Sequence, residues 1–374
     1  MKEKINNLDI SSILFLQLFS CSLGIAPYIT IKITGIDAYI SIIIGTIIGI
    51  IPILILIYIF NYEIDKPIHI KTKIIYGKTL GTIINIILTI IYIILTLTML
   101  FNTSNFIISQ YLTNTSITLV TLILGITIYH TVSKGITTIS KISIIYTIII
   151  LSLLILGIIG IIPEIKPDNL KPILENGIKP PFLAALVYTL LLTSPAYSFL
   201  IIPKSIIENN KKTTKYLLIT YIIISLTIFL ICIISSSCLG RYLIKIYQYP
   251  VYITLKKISI FSFIDRIENF LSLQWILSSF ISLTIYIYNI KENINKKNNP
   301  LLNLILIITI ILISTKIFKN NTNFNHYLGS IYPYILIIQL IIYIIISITI
   351  FIKKSIKNKT GVVHVVLFFP PHGS

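Results

Sequence analysis

The stretch ISSILFLQLFSCSLGIAPYITI, residues 10–31, contains no Asp, Glu, Lys or Arg, and near its middle stands Gly24-Ile25-Ala26-Pro27. At about 1.5 Å per helical residue it is long enough to cross a hydrocarbon core of roughly 30 Å. Gly and Pro weaken the helical hydrogen-bond ladder, and backbone freed at membrane depth survives only where it faces protein or a polar cavity. A second break of the same kind, Thr193-Ser194-Pro195-Ala196, interrupts the sixth apolar segment of the chain. A single Pro or Gly in a membrane helix is ordinarily a tolerated kink. Two breaks at matching places point to a bound solute.

Composition sets the class around this stretch. Of 374 residues 55% are hydrophobic and 11% charged, and the mean hydropathy is +0.94, which excludes a soluble domain. Charge-free runs predict ten spans, at 10–32, 38–60, 79–101, 116–132, 141–162, 181–203, 216–238, 266–289, 300–317 and 331–352. The run from Thr79 to Ser133 is too long for one crossing, and the polar clusters Asn102 to Asn105 and Thr113 to Ser116 divide it into two. Ile-rich segments suit strands by propensity, but the alternating polar face that a membrane barrel needs is missing, so helices are expected. The first segment is too long for a signal peptide, lacks a small-residue cleavage site and precedes nine more spans.

The formal net charge of +18 raises nucleic acid as a partner, but the basic residues are spread between spans, which excludes it and leaves the bilayer. On the side bearing the N-terminus lie 19 of the Lys and Arg residues, against 11 on the other. Both termini are therefore expected in the cytoplasm. Cys21, Cys232 and Cys238 fall in apolar stretches, as buried small hydrophobes do. The five histidines are scattered, so no metal site is expected. No enzyme motif is present, and neither catalysis nor a cofactor is predicted.

The Pro-, Lys- and acid-rich loop 163–180 leaves five spans on each side. An odd number forces the second half to enter the membrane upside down, the inverted-repeat arithmetic of many secondary transporters. The predicted organisation is a cytoplasmic N-terminus (1–9), a first five-helix repeat (10–162), the connecting loop, a second repeat (181–352) and a basic cytoplasmic tail (353–374). Unwinding at Ser22 to Pro27 would expose peptide groups, and the half-helix that follows begins with a partial positive charge suited to a carboxylate. Thr193 to Tyr197 supplies hydroxyls, carbonyls and an aromatic ring. Ser22, Gly24, Ile25, Ala26, Pro27, Thr193, Ser194, Pro195, Ala196 and Tyr197 are thus the candidate ligand-binding residues, and a small zwitterion is the expected ligand.

Downstream stand Tyr249-Pro250-Val251-Tyr252, Lys256-Lys257-Ile258-Ser259, Phe263-Ile264-Asp265-Arg266-Ile267-Glu268 and Trp275. With the first segment and the second break, this pattern resembles the spore germination permease family, the B subunits of nutrient germinant receptors, within the amino acid-polyamine-organocation superfamily. The resemblance covers roughly residues 8 to 355. The chain departs from it at the second break, where many relatives carry a Gly-Glu-like pair and this chain has Ser194-Pro195-Ala196-Tyr197. The resemblance implies a ten-helix fold of the leucine-transporter type and a place in the spore inner membrane. It also implies partners: a larger membrane subunit, a lipoprotein subunit and a small germinant such as an amino acid. In the resembled fold spans three and eight also line the site, which adds Tyr92, Thr96, Ser282 and Tyr286.

Asp265, Arg266 and Glu268 open the eighth span, as an interfacial cap or as a gating or partner contact. No ionisable group lies at the centre of any span, which disfavours proton coupling. Ser278 and Ser279, midway along span eight, could bind Na⁺ together with carbonyls of the broken first helix, although membrane hydroxyls more often bond their own helix or a neighbour. Three readings follow: a ligand-sensing subunit, an amino-acid or amine transporter with a driving ion, or a membrane scaffold whose breaks are only kinks. The Val-rich run Gly361 to Leu367, out of character with the preceding chain, reads as an atypical terminus that adds nothing to the fold.

Overall fold

A computed structural model describes residues 4–256, 268–294, 299–318 and 320–360, the side chains of 22–24 and 357–360 excepted. Asp265, Arg266 and the terminus 361–374 lie outside the described residues. The described chain is helical throughout. In order come α1 (Asn7–Gly24), α2 (Ala26–Thr34), α3 (Ala38–Phe60), α4 (Ile68–Gln110), α5 (Ile117–Lys134), α6 (Ile136–Ile161), α7 (Lys179–Thr193), α8 (Thr213–Ile246), α9 (Pro250–Lys256), α10 (Glu268–Ile294), α11 (Pro300–Ile317), α12 (Asn321–Ser330) and α13 (Tyr332–Thr360). Helices α3 to α6, α8, α10, α11 and α13 each reach membrane-crossing length, α7 does so together with the residues that follow it to Ile201, and α1 with α2 forms the first crossing as two short pieces. The protein is an integral membrane protein of ten spans in two inverted halves.

The predicted spans fall on these helices, with one boundary to revise. The polar cluster Asn102 to Asn105 does not end span three, because α4 continues to Gln110. Asn102, Thr103, Ser104 and Asn105 are buried and turn inward. The amide of Asn105 donates to Asn321 Oδ1 at 3.2 Å, and the Ser104 hydroxyl accepts from Thr121 at 3.0 Å. Only the turn after Tyr111 separates the two spans. At its start α4 is broken at Gly77 (φ 81°), which detaches a short helix, residues 68–76. Nζ of Lys71 caps the end of α3 through the carbonyls of Ile59 (2.9 Å) and Phe60 (3.1 Å), the favoured place for a cation on a helix.

Close packing joins the halves. Helices α3 and α7 meet along Gly45, where an added Cβ would lie 2.6 Å from the Tyr188 ring and 2.9 Å from the Ala185 carbonyl. Small residues let backbones approach in this way where lipid offers no hydrophobic drive. Thr189 uses the proximity, donating to the Gly45 carbonyl at 2.9 Å. Tyr221 does the same to the carbonyl of Thr46 at 2.7 Å.

Short segments pack against the helix ends at both faces. On the face bearing the chain's start, Ile5 pairs with Ile207, and Thr213 donates to Asn7 Oδ1 at 2.7 Å. On the opposite face the connecting loop folds over the ends of α2 and α8. There the Asp37 carboxylate accepts from the Leu174 N–H at 3.2 Å, Arg241 pairs with Glu175, and Asn169 donates to the Ser237 carbonyl at 2.7 Å. Beside them Phe106 packs on Trp275, Tyr249 and Tyr252 with ring centroids 4.4–5.5 Å apart.

Candidate functional site

The two breaks differ in kind. At the first, only Ile25 leaves the helix, with φ −110° and ψ −51°. Its N–H still bonds the Cys21 carbonyl at 3.4 Å and its carbonyl accepts from Ile29 at 3.2 Å. Ser22 and Gly24 remain on helical backbone, and their surroundings lie outside what is described. The expected unwinding from Ser22 to Pro27 is therefore a one-residue kink. Pro27 sits in the first turn of α2, where its missing N–H costs least.

The second break is larger. After Thr193 the chain tightens into a 3₁₀ segment of eight residues, Ser194–Ile201, twice the usual length of such runs. Every residue of it is buried. It packs against α1, α3, α4, α7, α10 and α13, so the sixth span is remodelled at the centre of the bundle.

Around this segment lies a polar cluster inside an apolar protein. Gln17, one turn before Cys21, donates from Nε2 to the Ser198 hydroxyl at 2.5 Å. Ser198 in turn donates to the Pro195 carbonyl at 2.8 Å. Asn289 donates to the Ser198 carbonyl at 2.9 Å. Gln339 of α13 donates from Nε2 to the Ser194 carbonyl at 3.2 Å. The hydroxyls of Ser20 and Ser282 meet at 2.6 Å, as do those of Tyr92 and Tyr343. Tyr197 donates to the Pro52 carbonyl at 2.6 Å and stacks on Tyr343 at 4.2 Å. Tyr92 stacks on Tyr286 at 6.4 Å, and the Tyr286 hydroxyl touches Cys21 Sγ at 3.9 Å.

Of the residues expected from the sequence, Tyr92, Tyr197, Ser194, Ser282 and Tyr286 enter this cluster. Ile25, Ala26, Pro27, Pro195 and Ala196 are buried beside it. Thr96 and Thr193 are buried but spend their hydroxyls on their own helices, at 2.7 and 2.8 Å. Ser278 likewise bonds the Trp275 carbonyl at 3.0 Å, whereas the buried Ser279 hydroxyl has no hydrogen-bond partner among the described residues. Glu268 is buried at the start of α10, and the contact proposed for it with Asp265 and Arg266 falls outside the described residues.

Sequence reasoning passed over Gln17, Ser20, Gln339, Tyr343 and Asn289. A signal for the first and third was present, since each is a lone amide inside an apolar run. Two larger cavities lie away from the breaks. One of about 290 Å³ includes His69, Lys73, Asn85 and Asn293, and another of about 270 Å³ includes Ser12, Phe15, Thr147 and Thr220. The side chains of the cluster are themselves buried.

Comparison with known proteins agrees with this architecture. A family profile described as spore germination protein, the spore permease family, matches residues 4–324. Spore germination protein KB of Bacillus subtilis (strain 168) is 25% identical over 285 residues, 74% of each chain. Among solved structures, Mhp1, a nucleobase-cation-symport-1 family transporter in a closed conformation with bromovinylhydantoin bound, superposes with a TM-score of 0.58. That match has 12% identity and covers 87% of this chain and 75% of Mhp1. The likeness is one of fold.

Proposed function

Because the chain belongs to the spore germination permease family, we propose that it is the germinant-sensing, permease-like subunit of a nutrient receptor. A small amino acid or similar solute binds between the kink at Ile25 and the 3₁₀ segment Ser194–Ile201. The protein sits in the spore inner membrane with both termini in the cytoplasm. It works with a larger membrane subunit and a lipoprotein, which read its conformation.

The observation that carries this reading is the buried polar cluster built on the remodelled sixth span. Polar side chains inside a membrane bundle are costly to gather and mark solute paths. Here they surround the one long stretch of non-α backbone at the bundle centre. Binding there shifts a conformational equilibrium only if the ligand prefers one state. Burial of the cluster provides such a state, since ligand entry requires the surrounding helices to part.

Sensing is favoured over pumping because no Asp, Glu, Lys or Arg occurs at the centre of any span, leaving no proton carrier. Purified protein in vesicles tests this with a panel of amino acids. Saturable binding without counterflow is expected. Robust counterflow would identify a transporter, and neither binding nor flux would leave a scaffold.

A further inference from the structure

Two glutamines hold the 3₁₀ segment, at its first and fifth residues, and each is half satisfied. Gln17 reaches Ser198 from α1, and Gln339 reaches Ser194 from α13. Both side chains are fully buried. The partners fix which way each amide points. Ser194 offers a carbonyl, which accepts only, so the NH₂ end of Gln339 must face it. The Ser198 hydroxyl has given its proton to the Pro195 carbonyl, so it too can only accept, and the NH₂ end of Gln17 must face it. The outward end of each amide is therefore a carbonyl oxygen. Among the described residues neither Gln17 Oε1 nor Gln339 Oε1 has a hydrogen-bond partner, and nor does the Ser194 hydroxyl beside Gln339.

A buried acceptor left bare keeps its full desolvation penalty. A second copy of this arrangement four residues along the same segment, at Ser198, doubles the demand for donors. The Tyr92 hydroxyl stands next to Gln339 and shares one hydrogen bond with Tyr343, so one tyrosine proton at most is left to serve this group of acceptors.

We infer that Gln339, with Ser194, is a specificity-determining pair that holds a cationic N–H donor, the ammonium group of the solute, and that Gln17 marks a second acceptor position on the same segment. The inference rests on the reading that solute binds at the sixth-span break. It adds that recognition there is through the solute's positive end. An ammonium satisfies the Gln339 oxygen and the Ser194 hydroxyl together. A carboxylate could accept from the Ser194 hydroxyl but would meet the bare Gln339 oxygen with like charge, so the pair favours the cation. A bare Na⁺ shares the same oxygen-seeking chemistry, and the two sources separate experimentally.

The test uses the full chain in phosphatidylcholine nanodiscs, followed by thermal unfolding. The probes are n-propylammonium chloride, choline chloride, sodium propionate and sodium chloride. n-Propylammonium is expected to raise the unfolding midpoint saturably, and choline, with equal charge but no N–H, is not. Gln339→Leu should weaken n-propylammonium at least tenfold. Gln339→Glu keeps an acceptor and adds charge but gives up the N–H to the Ser194 carbonyl, so each variant's own unfolding midpoint without probe serves as the control for folding, and folded Gln339→Glu should preserve or tighten binding. Ala196→Leu should abolish binding altogether.

Stabilisation by sodium chloride alone to the same extent would assign the oxygens to a metal cation and overturn the ammonium assignment. So would equal binding of n-propylammonium by the wild type and Gln339→Leu. If Ala196→Leu still blocks that binding, the sixth-span site stands and only the inference falls. If no probe binds, or Ala196→Leu leaves binding intact, the site itself falls with it.

Discussion

Ile5 and Ile207 lie side by side as a single parallel bridge: the Ile5 N–H donates to the Ile206 carbonyl at 3.1 Å, and the Glu208 N–H to the Ile5 carbonyl at 2.8 Å. The chain's start is thereby strapped to the loop that leaves the 3₁₀ segment. The first half-helix and the sixth span, which carry the two breaks, cannot separate on this face unless the strap lets go or the loop moves with it.

Releasing the strap should therefore open this face. Ile5→Pro removes the donor to Ile206, a bond worth about 1 kcal/mol net, or roughly a fivefold shift in a two-state population. Cys21 is buried next to the cluster and reports the opening. In a Cys232→Ser, Cys238→Ser background, Ile5→Pro should speed modification of Cys21 by an impermeant thiol reagent added at this face by about that factor. An unchanged rate would mean that the strap does not hold the closed state.

Ala196 is fully buried in the middle of the 3₁₀ segment. Leucine there overfills a packed centre at a cost of about 1–3 kcal/mol. Ala196→Leu is expected to insert and assemble yet lose its germinant dose response. A normal response would remove the segment from the site.

The seam between α3 and α7 gives a prediction about stability alone. A methyl group at Gly45 meets the Tyr188 ring and the Ala185 carbonyl, and the carbonyl belongs to backbone that cannot rotate away. Gly45→Ala should lower stability in detergent by about 1–3 kcal/mol. At the helix end Gly329, where nothing lies within 4 Å of an added Cβ, the same change should be close to neutral. Similar losses at both positions would contradict the close approach of the two helices.

The spans were legible because charge and hydropathy act locally: the predicted segments 38–60 and 300–317 match α3 and α11 end for end. The breaks were legible in position, since Pro27 and Pro195 announce them. Their depth was not. Pro27 falls in the first turn of a helix and costs almost nothing there, whereas Pro195 begins a segment of eight residues in a different helical form, a choice made by the packing of six helices around it. Asn102 to Asn105 misled for the opposite reason. A polar run reads as a membrane boundary unless its partners, Asn321 and Thr121, are known to stand on the facing helices. Gln339 stood out as a lone amide in an apolar run, but its partner, a carbonyl 145 residues away, did not.

Tyr92 and Tyr343 offer a measurement that links packing to binding. Their hydroxyls meet at 2.6 Å in a fully buried site, and each ring stacks on another tyrosine of the cluster, Tyr286 or Tyr197. Tyr→Phe at either position keeps the ring and removes the bond, so a double-mutant cycle isolates the pair. Side-chain hydrogen bonds between membrane helices couple by about 0.6 kcal/mol on average and up to about 1.7, and this short, buried bond should lie in the upper half of that range. A solute that enters the cluster must displace or share one of the two hydroxyls. The coupling measured with saturating solute should then fall toward zero, while the cycle without solute keeps its value. Identical coupling in both conditions would place the solute elsewhere in the protein.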